Sequence, residues 1–412
     1  MQQFKKYDKY KDSGLEWLGD VPSDWKVRRA KDYSTVFAPD RDKPELNYES
    51  GKPWVTIDLL QNSSLDYSKV SQYTNDNTRT VPKNSIIASC VGEFSKTSIV
   101  SKKVVINQQI QAYTQLKENI CFINYYIQSD IAEYYFNQVS TATTLKYINK
   151  DKFGLILTPL PPLLTQIKIA EFLDTQTTTI DAEIGLLTTK AAKYKQLKQS
   201  LINQVVTKGL NQKAEMKDTG IDWIGSIPSG WKVRRLKDLY KMNMGNTILK
   251  DDLIEGGKIP VYSASADDKY FGFVNSANVI LNKGDLIICA RGSIGHPKIV
   301  KELCTSTQTT ISCKRKNKHF DPKFVHYYTL GFSDSIFYYD KTAIPQFTVE
   351  DANYIPIILP PKAEQVQITE YLDAKTGEID SIITTINDKI SKLKQYRKVL
   401  INDVVTGKIN VE

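Results

Sequence analysis

The 412-residue sequence has no apolar run long enough to cross a membrane, because a spanning helix needs about 20 consecutive apolar residues. Its first eight residues lack the apolar segment of a secretory signal peptide. Its five cysteines form no Cys-x-x-Cys pair. These absences predict a cytoplasmic protein with free thiols and no membrane attachment.

Motifs of catalysis and nucleotide binding are also missing. There is no phosphate loop, no Gly-x-Gly-x-x-Gly after a strand and no Pro-Pro-Tyr or Pro-Pro-Phe motif of amino-methyltransferases. Residues 39–43 (PDRDK) superficially resemble a nuclease carboxylate motif, but no strand follows them. The only histidines, His296, His319 and His326, are not spaced with the nearby cysteines as zinc ligands. The chain is therefore predicted to be no enzyme and to bind no metal or cofactor.

The composition is that of an ordinary globular protein, with 41% hydrophobic and 25% charged residues. The length fits about two to three domains. Lysine and arginine total 55 against 46 aspartate and glutamate residues, a net charge of +9. This modest excess suits a polyanionic partner such as a nucleic acid.

The chain contains an internal repeat. Residues 11–32 (KDSGLEWLGDVPSDWKVRRAKD) and 217–238 (KDTGIDWIGSIPSGWKVRRLKD), here called the first and second frame, are identical at 14 of 22 positions. A second block, residues 160–209 and 359–408, is identical at 22 of 50 positions. A period of about 200 residues indicates a domain duplication, because solenoid repeats are much shorter.

The segments between the repeated blocks, 33–159 and 239–358, have little sequence in common. The chain therefore contains two copies of one arrangement, in which a variable segment lies between two repeated blocks. Both variable segments alternate short β-type runs, such as SIIASC (85–90) and DLIICA (285–290), with turns, and helical stretches follow. Each variable segment is predicted to be a mixed α/β domain.

The block after each Leu-Pro-Pro sequence has the spacing of a long amphipathic helix. Apolar or small residues recur at alternating steps of four and three, which keeps a seam on one helix face. The seam residues are Leu173, Thr177, Ile180, Ile184, Leu187, Ala191 and Tyr194 in the first copy and Leu372, Thr376, Ile379, Ile383, Ile386, Ile390 and Leu393 in the second. A core helix in each domain is the alternative, but the shared register favours a coiled coil. A helix over about 176–207 would be about 48 Å long, after a candidate kink at the Asp-Thr or Asp-Ala step.

Basic residues cluster at matching places in the two variable segments. Residues 79–117 carry a local charge of +5 and residues 283–318 one of +6. Each stretch contains a glycine-bearing loop, CVGEFSK (90–96) or ARGSIGH (290–296), followed by an amide-bearing segment. A solvated charged face is the alternative, but recurrence in both copies favours contact with DNA phosphates and purine edges. The predicted DNA-binding residues are Arg79, Lys96, Lys102, Lys103, Gln108, Gln109, Arg291, Ser293, His296, Lys298, Gln308, Lys314, Arg315 and Gln346.

Each frame contains two tryptophans, Trp17 and Trp25 in the first and Trp223 and Trp231 in the second. Tryptophan is large enough to anchor a turn on a domain surface, so these residues are predicted to clamp each frame onto its neighbour. A contact site for a partner protein is the alternative, because arginine pairs follow in both frames.

The repeated blocks resemble those of the specificity subunit of type I restriction-modification systems. The resemblance is carried by GLEWLGDVPSDWKVRRAKD and GIDWIGSIPSGWKVRRLKD, by the two helices that follow Leu-Pro-Pro, and by the endings LINQVVTKG and LINDVVTGK. The order of frame, variable segment and helix extends it over the whole chain. The endings differ in having Lys-Gly or Gly-Lys, which predicts only a different exit from the helix.

The resemblance implies two mixed α/β (α+β) target recognition domains, each reading one half of a bipartite DNA site, separated by two long helices in an antiparallel coiled coil. The implied division is 1–159 and 216–358 for the frames with their recognition domains, and 160–215 and 359–412 for the helices. The implied subunit is non-catalytic and works in the cytoplasm of a bacterium or archaeon. Its implied partners are double-stranded DNA, two modification subunits that carry S-adenosylmethionine and methylate adenine, and restriction subunits that use ATP and Mg.

The geometry of duplex DNA suits this interpretation. Two similar domains related by a pseudo-twofold axis match the twofold axes of the DNA backbone, and a coil of about 48 Å would span about 14 base pairs. Different variable segments predict an asymmetric target with an unread gap. The alternatives are a stand-alone DNA-binding regulator, which would bind its site tightly without a partner, and a coiled-coil adaptor without DNA contact, which the matched basic stretches disfavour.

Overall fold

The computed structural model describes residues 5–141, 146–337 and 346–411, except the side chain of Asp334. The chain divides into two compact units. The first unit consists of Met1–Leu187 and Asp388–Glu412, and the second consists of Thr188–Asn387. Each unit therefore contains one part of each long helix, so the first unit is built from two separate stretches of the sequence.

The first unit contains short strands and helices between its frame and its long helix. Its strands are β1 (Tyr10–Asp12), β2 (Asp20–Pro22), β3 (Lys26–Arg29), β4 (Thr35–Phe37), β5 (Lys52–Val55), β6 (Ser63–Ser64), β7 (Tyr73–Thr74), β8 (Ser85–Ser89), β9 (Thr97–Val100), β10 (Val105–Ile106), β11 (Ile110–Thr114) and β12 (Leu157–Leu160). Its helices are α1 (Ala30–Tyr33), α2 (Ile120–Ile127), α3 (Asp130–Val139) and α4 (Lys150–Gly154), and α5 (Leu163–Lys208) begins in it.

The main sheet of the first unit has the strand order β4-β11-β8-β9-β6. β8 and β11 are antiparallel, with Ile86 opposite Tyr113 and Ile87 opposite Ala112. Because successive side chains of a strand point to opposite faces, Ile86 and Tyr113 pack with the helices, whereas Ile87 and Ala112 pack against the small sheet β10-β5-β7. Both strands are buried along their length.

The second unit repeats this arrangement. Its strands are β13 (Met216–Asp218), β14 (Ser226–Pro228), β15 (Lys232–Arg235), β16 (Tyr240–Met244), β17 (Ile259–Tyr262), β18 (Gly272–Val274), β19 (Leu286–Cys289), β20 (Pro297–Ile299), β21 (Thr305–Ser306), β22 (Thr310–Arg315) and β23 (Pro356–Leu359). Its helices are α6 (Leu236–Leu239), α7 (Pro322–Gly331), α8 (Ser333–Ile336) and α9 (Val349–Tyr354), and α10 (Lys362–Val405) begins in it. The sheets β16-β22-β19-β20 and β21-β17-β18 match β4-β11-β8-β9 and β10-β5-β7 strand for strand. The predicted pair of mixed α/β domains is confirmed.

Both long helices begin directly after their Leu-Pro-Pro sequence. Gln166 Nε2 donates to the Pro161 carbonyl (2.9 Å), and Gln365 Nε2 donates to the Pro360 carbonyl (2.7 Å), so the same glutamine fixes both starts. α5 has 46 residues and is therefore about 69 Å long. The predicted length of about 48 Å was wrong, because the helix continues without interruption through the Asp-Thr step at Asp174.

The heptad seam lies on the covered face of both helices, as predicted. Its buried members are Leu173, Thr177, Ile180, Ala191, Leu372, Thr376, Ile379 and Ile386, and its half-buried members are Ile184, Leu187, Tyr194, Ile383, Ile390 and Leu393. Residues between them are mostly exposed; Leu186, for example, is 73% exposed. Each helix thus has one continuous apolar seam and a polar remainder.

In each unit, part of α5 packs against part of α10. In the first unit Arg397 Nε donates to Asp181 Oδ1 (3.0 Å), and Lys389 Nζ lies 2.6 Å from Glu183 Oε1. The residue numbers rise along α5 as they fall along α10, so the helices are antiparallel. Partly exposed ion pairs of this kind contribute about 0–1 kcal/mol each, and they fix the register more than the stability.

The second unit has its own antiparallel helix contact, in which Lys198 Nζ lies 2.6 Å from Asp380 Oδ2. Apolar residues of both helix parts, among them Ile202 and Leu372, belong to the core of this unit. The helix pair is therefore continuous with the domain core.

The second tryptophan of each frame is an internal anchor. Trp25 is fully buried and lies edge-on to Phe122, with ring centroids 6.4 Å apart. Trp231 is 1% exposed, lies edge-on to Phe324 and donates from Nε1 to Glu364 Oε2 (3.0 Å) at the start of α10. The predicted clamping of each frame onto its neighbour is confirmed for these two residues.

A glycine ends each long helix against the frame. Gly209 and Gly407 have φ of +68° and +75°, the left-handed region that favours glycine. Gly209 directly follows α5, whereas Gly407 lies two residues after the end of α10, so the Lys-Gly and Gly-Lys endings produce different exits, as predicted. In the first unit the chain then pairs Asn410 with Lys5, and the Tyr10 hydroxyl donates to the Gly407 carbonyl (3.0 Å).

Gly407→Ala should lower the free energy of unfolding of the first unit by about 1–3 kcal/mol. The φ of +75° disfavours any side chain, and a Cβ would lie 2.3 Å from Pro22 Cδ. The matched control is Gly377→Ala within α10, where a Cβ meets nothing within 4 Å and the better helix propensity should add about 1 kcal/mol. Denaturant unfolding followed by tryptophan fluorescence measures both. Equal effects of the two substitutions would contradict the packed helix exit.

Candidate nucleic-acid interface

A loop cluster forms at one end of the main sheet in the first unit. The Cys90 amide donates to the Gln109 carbonyl (2.9 Å), which places loop 90–96 beside segment 107–109. A third segment joins them, because the Ile148 amide donates to the Cys90 carbonyl (3.0 Å). We call residues 90–96, 107–109 and 146–148 the first loop cluster.

The first loop cluster brings three predicted DNA-binding residues together. Lys96 is half-buried and pairs with Glu93 at 3.2 Å, while Gln108 and Gln109 are exposed. The side-chain amide of Gln108 donates from Nε2 to the Arg41 carbonyl, so segment 39–43 lies beside Gln108. Lys96, Gln108 and Gln109 thus place two side-chain amides and one ammonium group at the same end of the main sheet.

The second unit forms a matching cluster. The Ala290 amide donates to the Thr309 carbonyl (2.9 Å), and the Phe347 amide donates to the Ala290 carbonyl (2.9 Å). We call residues 290–296, 307–309 and 346–347 the second loop cluster. Five predicted DNA-binding residues meet in it: Arg291, Ser293, His296, Gln308 and Gln346. Most of its side chains differ from those of the first cluster, whereas these two backbone hydrogen bonds are the same in both.

The side chain of Arg291 is paired within this cluster. Its Nη2 donates to Gln346 Oε1 at 2.8 Å, and its Nε lies 3.3 Å from the same oxygen. Both residues are exposed. Gln308 is half-buried, and its Oε1 accepts from the Ile248 amide (3.2 Å), so this glutamine partly holds a neighbouring loop.

Four predicted DNA-binding residues lie at the opposite end of the sheets. Lys102 and Lys103 follow the far end of β9, and Lys314 and Arg315 end β22. β22 runs from Thr310, beside the second loop cluster, to Arg315, a distance of about 17 Å for an extended strand. The two basic stretches seen in the sequence are therefore divided between the two ends of each sheet.

Arg79 has a structural role in the first unit. Its amide donates to Asp40 Oδ2 (2.9 Å), its Nη1 donates to the Ala38 carbonyl (2.9 Å), and its guanidinium lies 4.7 Å from the Phe37 ring centroid. Asp40 thus accepts a hydrogen bond from the backbone of Arg79.

Lys298 is buried, with 1% exposure. Its ammonium donates to Ser265 Oγ (3.1 Å) and to the Asp267 carbonyl and lies 5.5 Å from the Tyr262 ring centroid. This placement argues against the DNA contact predicted for Lys298, because the charge fastens loop 265–267 inside the domain.

Two histidines of the second unit, His296 and His326, carry little positive charge. Burial, and then the charge of Lys298, lower the pKa of His296 below its ordinary value. Burial also lowers the pKa of His326 to about 4. Both imidazoles are therefore neutral near pH 7, and His296 can offer DNA a hydrogen bond but no charge.

The cysteines are poorly suited to chemistry. Burial raises the pKa of the Cys90 thiol to about 12 and that of Cys289 to about 11, and it raises the pKa of Cys304 to about 12. Thiols with such pKa values are protonated near pH 7 and unreactive. Across residues 5–141, 146–337 and 346–411, no group of three or more His, Cys, Asp or Glu side chains is placed to hold a metal ion.

A basic ribbon occurs in both frames. In the second unit β15 pairs with β23, and the guanidinium of Arg235 and the ammonium of Lys237 lie 5.2 and 4.4 Å from the Tyr354 ring centroid. The first frame has Arg29 and Lys31 at the corresponding positions. Basic residues at equivalent positions in both units suit a partner that offers the same charged group to each unit, as the phosphate backbone of DNA does.

Sequence reasoning missed two residues of the first loop cluster. Val91 and Tyr147 form an antiparallel bridge within it, and Tyr147 is 40% exposed. Val91 lies inside a recognised glycine loop, but its apolar side chain gave no signal. Tyr147 lies about 40 residues from the amide segment, and only the fold brings it there.

Two units of one fold, each with polar loop side chains at one end of its main sheet and a part of both long helices, define a protein with two related domains that carry different candidate DNA-binding residues. The family comparison agrees. The chain belongs to the family of the type I restriction modification DNA specificity domain, whose model matches residues 22–189 and 228–392. It is a specificity subunit of a type I restriction-modification system.

Relatives resemble the chain over nearly its full length. It is 24% identical over 443 residues to the MjaX specificity subunit and 22% identical over 444 residues to the MjaVIII specificity subunit of type I restriction enzymes from Methanocaldococcus jannaschii. Both alignments include 100% of this chain, with 99% and 98% of the relatives. These homologues do not favour a stand-alone regulator.

A solved structure has the same fold. It comes from a study of complex assembly and conformational transition of the type I R-M system, with a TM-score of 0.74 at 14% identity. The match covers 93% of this chain and 98% of the other.

Within the described ranges, no helix has the length and apolarity needed to span a membrane.

Proposed function

We propose that each variable segment reads one half of an asymmetric, bipartite DNA site. The observation that carries this proposal is the pair of loop clusters, which share their backbone hydrogen bonds and differ in their side chains. A shared fold supplies one mode of docking, and different side chains supply different base preferences. The proposed division is 1–159 and 216–358 for the frames with their recognition domains, and 160–215 and 359–412 for the helical segments.

The proposed base contacts come from the loop clusters. Lys96, Gln108 and Gln109 serve the first half-site, and Arg291, Ser293, Gln308 and Gln346 serve the second. Arg79 and His296 act nearby, Arg79 by holding segment 37–40 and His296 as a neutral hydrogen-bonding group. Lys102, Lys103, Lys314 and Arg315 are proposed phosphate contacts away from the base-reading end.

The chain supplies recognition, and partner subunits supply chemistry. In the proposed complex two modification subunits carry S-adenosylmethionine and methylate adenine, and restriction subunits use ATP and Mg. This complex works in the cytoplasm. The paired long helices hold the recognition domains at a fixed distance and mount the modification subunits.

The isolated chain should show no methyltransferase, nuclease or ATPase turnover. Plasmid DNA incubated with S-adenosylmethionine should acquire methyladenine at one bipartite sequence only when the chain is co-purified with its modification subunit. Methylation-sensitive sequencing of the plasmid measures this. Each subunit alone is the control, and turnover by the chain alone at the level of the complex would contradict the proposal.

A further inference from the structure

Two residues in each loop cluster occupy equivalent positions. The backbone hydrogen bonds described above align the clusters residue by residue, so Val91 corresponds to Arg291 and Tyr147 corresponds to Gln346. We call each of these a facing pair. The hydrogen bonds that flank the pair at Cys90 and Ala290 are the same in both units, whereas the side chains of the pair change from valine and tyrosine to arginine and glutamine.

The facing pair of the second unit presents hydrogen-bond donors. Arginine has no acceptor, so the oxygen of Gln346 must face Arg291, and it accepts from Nη2 at 2.8 Å. The remaining polar groups of the pair are guanidinium N–H groups and the glutamine NH₂. In the major groove guanine shows two acceptors, N7 and O6, whereas adenine and cytosine show an amino donor. A face made of donors therefore matches guanine best.

The loop that carries Arg291 is closely packed at its two glycines. Gly292 and Gly295 have φ of +66° and +78°. A Cβ on Gly292 would lie 3.0 Å from the Ala264 carbonyl, and one on Gly295 would lie 2.3 Å from Phe337 Cβ. An exposed side chain on such a loop loses little conformational freedom when it binds, especially when a neighbouring amide already orients it.

We propose that Arg291, oriented by Gln346, reads a guanine in the half-site of the second unit. Gln346 is a positioning residue in this proposal, because its oxygen accepts from the Arg291 guanidinium. The facing pair of the first unit, with an apolar side chain and a phenol, offers no matching set of donors and prefers another base. The inference rests on the proposed function and names the position at which the two half-sites differ.

The test uses the full chain with its modification subunit in cells without other adenine methylation. Methylome sequencing first gives the wild-type site, and exchange of residues 239–358 identifies the half-site of the second unit. Arg291→Ala should then relax one guanine position in that half-site by about ten- to a hundredfold in preference. The other half-site should stay unchanged.

Two controls separate base reading from a general loss of function. Arg315→Ala changes the same residue type at the far end of β22 and should weaken methylation of all sites evenly. Gln346→Leu should relax the same guanine position less than Arg291→Ala does, and Gln346→Glu, which keeps an oxygen acceptor for Arg291, should retain the guanine preference.

DNA with a modified base tests the proposal with the wild-type protein, and so remains informative if an Arg291 variant fails to fold. In the wild-type complex, replacing each guanine of the second half-site in turn with 7-deazaguanine removes the N7 acceptor. One position should lose about five- to tenfold in binding. If the Arg291→Ala complex folds, it should be indifferent at that position.

The outcomes distinguish the two proposals. A wild-type complex that methylates no bipartite site would overturn the proposed function. A clear bipartite site whose second half lacks guanine, or whose guanines are all kept by Arg291→Ala and tolerate 7-deazaguanine, would overturn the facing-pair inference alone.

Discussion

Exchanging residues 239–358 for the variable segment of another specificity subunit should replace one half of the methylated sequence and leave the other half intact. The segment is suited to exchange because its ends meet. β15, just before it, pairs with β23 at its end, with Val233 opposite Ile358. A new segment therefore enters and leaves through the same two-stranded ribbon.

The retained frame should support a foreign segment. Trp231 remains anchored on Glu364 at the start of α10, and both lie outside the exchanged residues. Methylome sequencing of the chimera is the measurement, and exchange of residues 33–159 is the matched control, which should change the other half-site. A chimera in which both half-sites change would show that the two domains do not read DNA independently.

Inserting one heptad after Leu187 in α5 and one after Ile386 in α10 should abolish most modification at the original site. Seven residues keep the seam in register and lengthen the helix pair by about 10 Å. This length equals about three base pairs, which also rotate the half-sites by about 100°. A stiff helix pair cannot absorb that rotation, so any new site should keep both half-sequences with a wider gap.

The structure makes this insertion a clean experiment. Leu187 and Thr188 are divided between the two units, as are Asn387 and Asp388. The insertion after Leu187 falls on the first boundary and the one after Ile386 lies one residue before the second, so both leave nearly all internal contacts of each unit intact. A single-residue insertion at the same places is the control, because it rotates every later seam residue by about 100° and should cost stability. Full activity with an unchanged gap after the heptad insertion would refute the role of the helices as a spacer.

Local patterns predicted the seam and the frames well. Leu173 and Leu372 are fully buried, as their heptad positions require, and Trp25 and Trp231 are buried anchors. The helix length was underestimated, because aspartate followed by threonine looked like a break. In the first helix the Thr175 hydroxyl instead donates to the Glu171 carbonyl (2.9 Å) within the helix.

The candidate interface was predicted less well, because it depends on sheet topology. A count of charges along the sequence cannot show that Arg291 and Arg315 lie at opposite ends of a sheet. It cannot show that Lys298 points inward, since the loop that receives its ammonium lies about 30 residues away. The closeness of Arg291 and Gln346 likewise depends on pairing across 55 residues.

The pairing of Lys5 with Asn410 has a consequence for synthesis on the ribosome. The second unit, Thr188–Asn387, is complete once residue 387 has emerged, whereas the first unit still lacks Asp388 and all that follows. A nascent chain released early would carry one finished reading domain and one with exposed apolar helix surface. Such a chain is a natural target for chaperones and proteases, so the order of translation itself works against release of a subunit that reads only half a site.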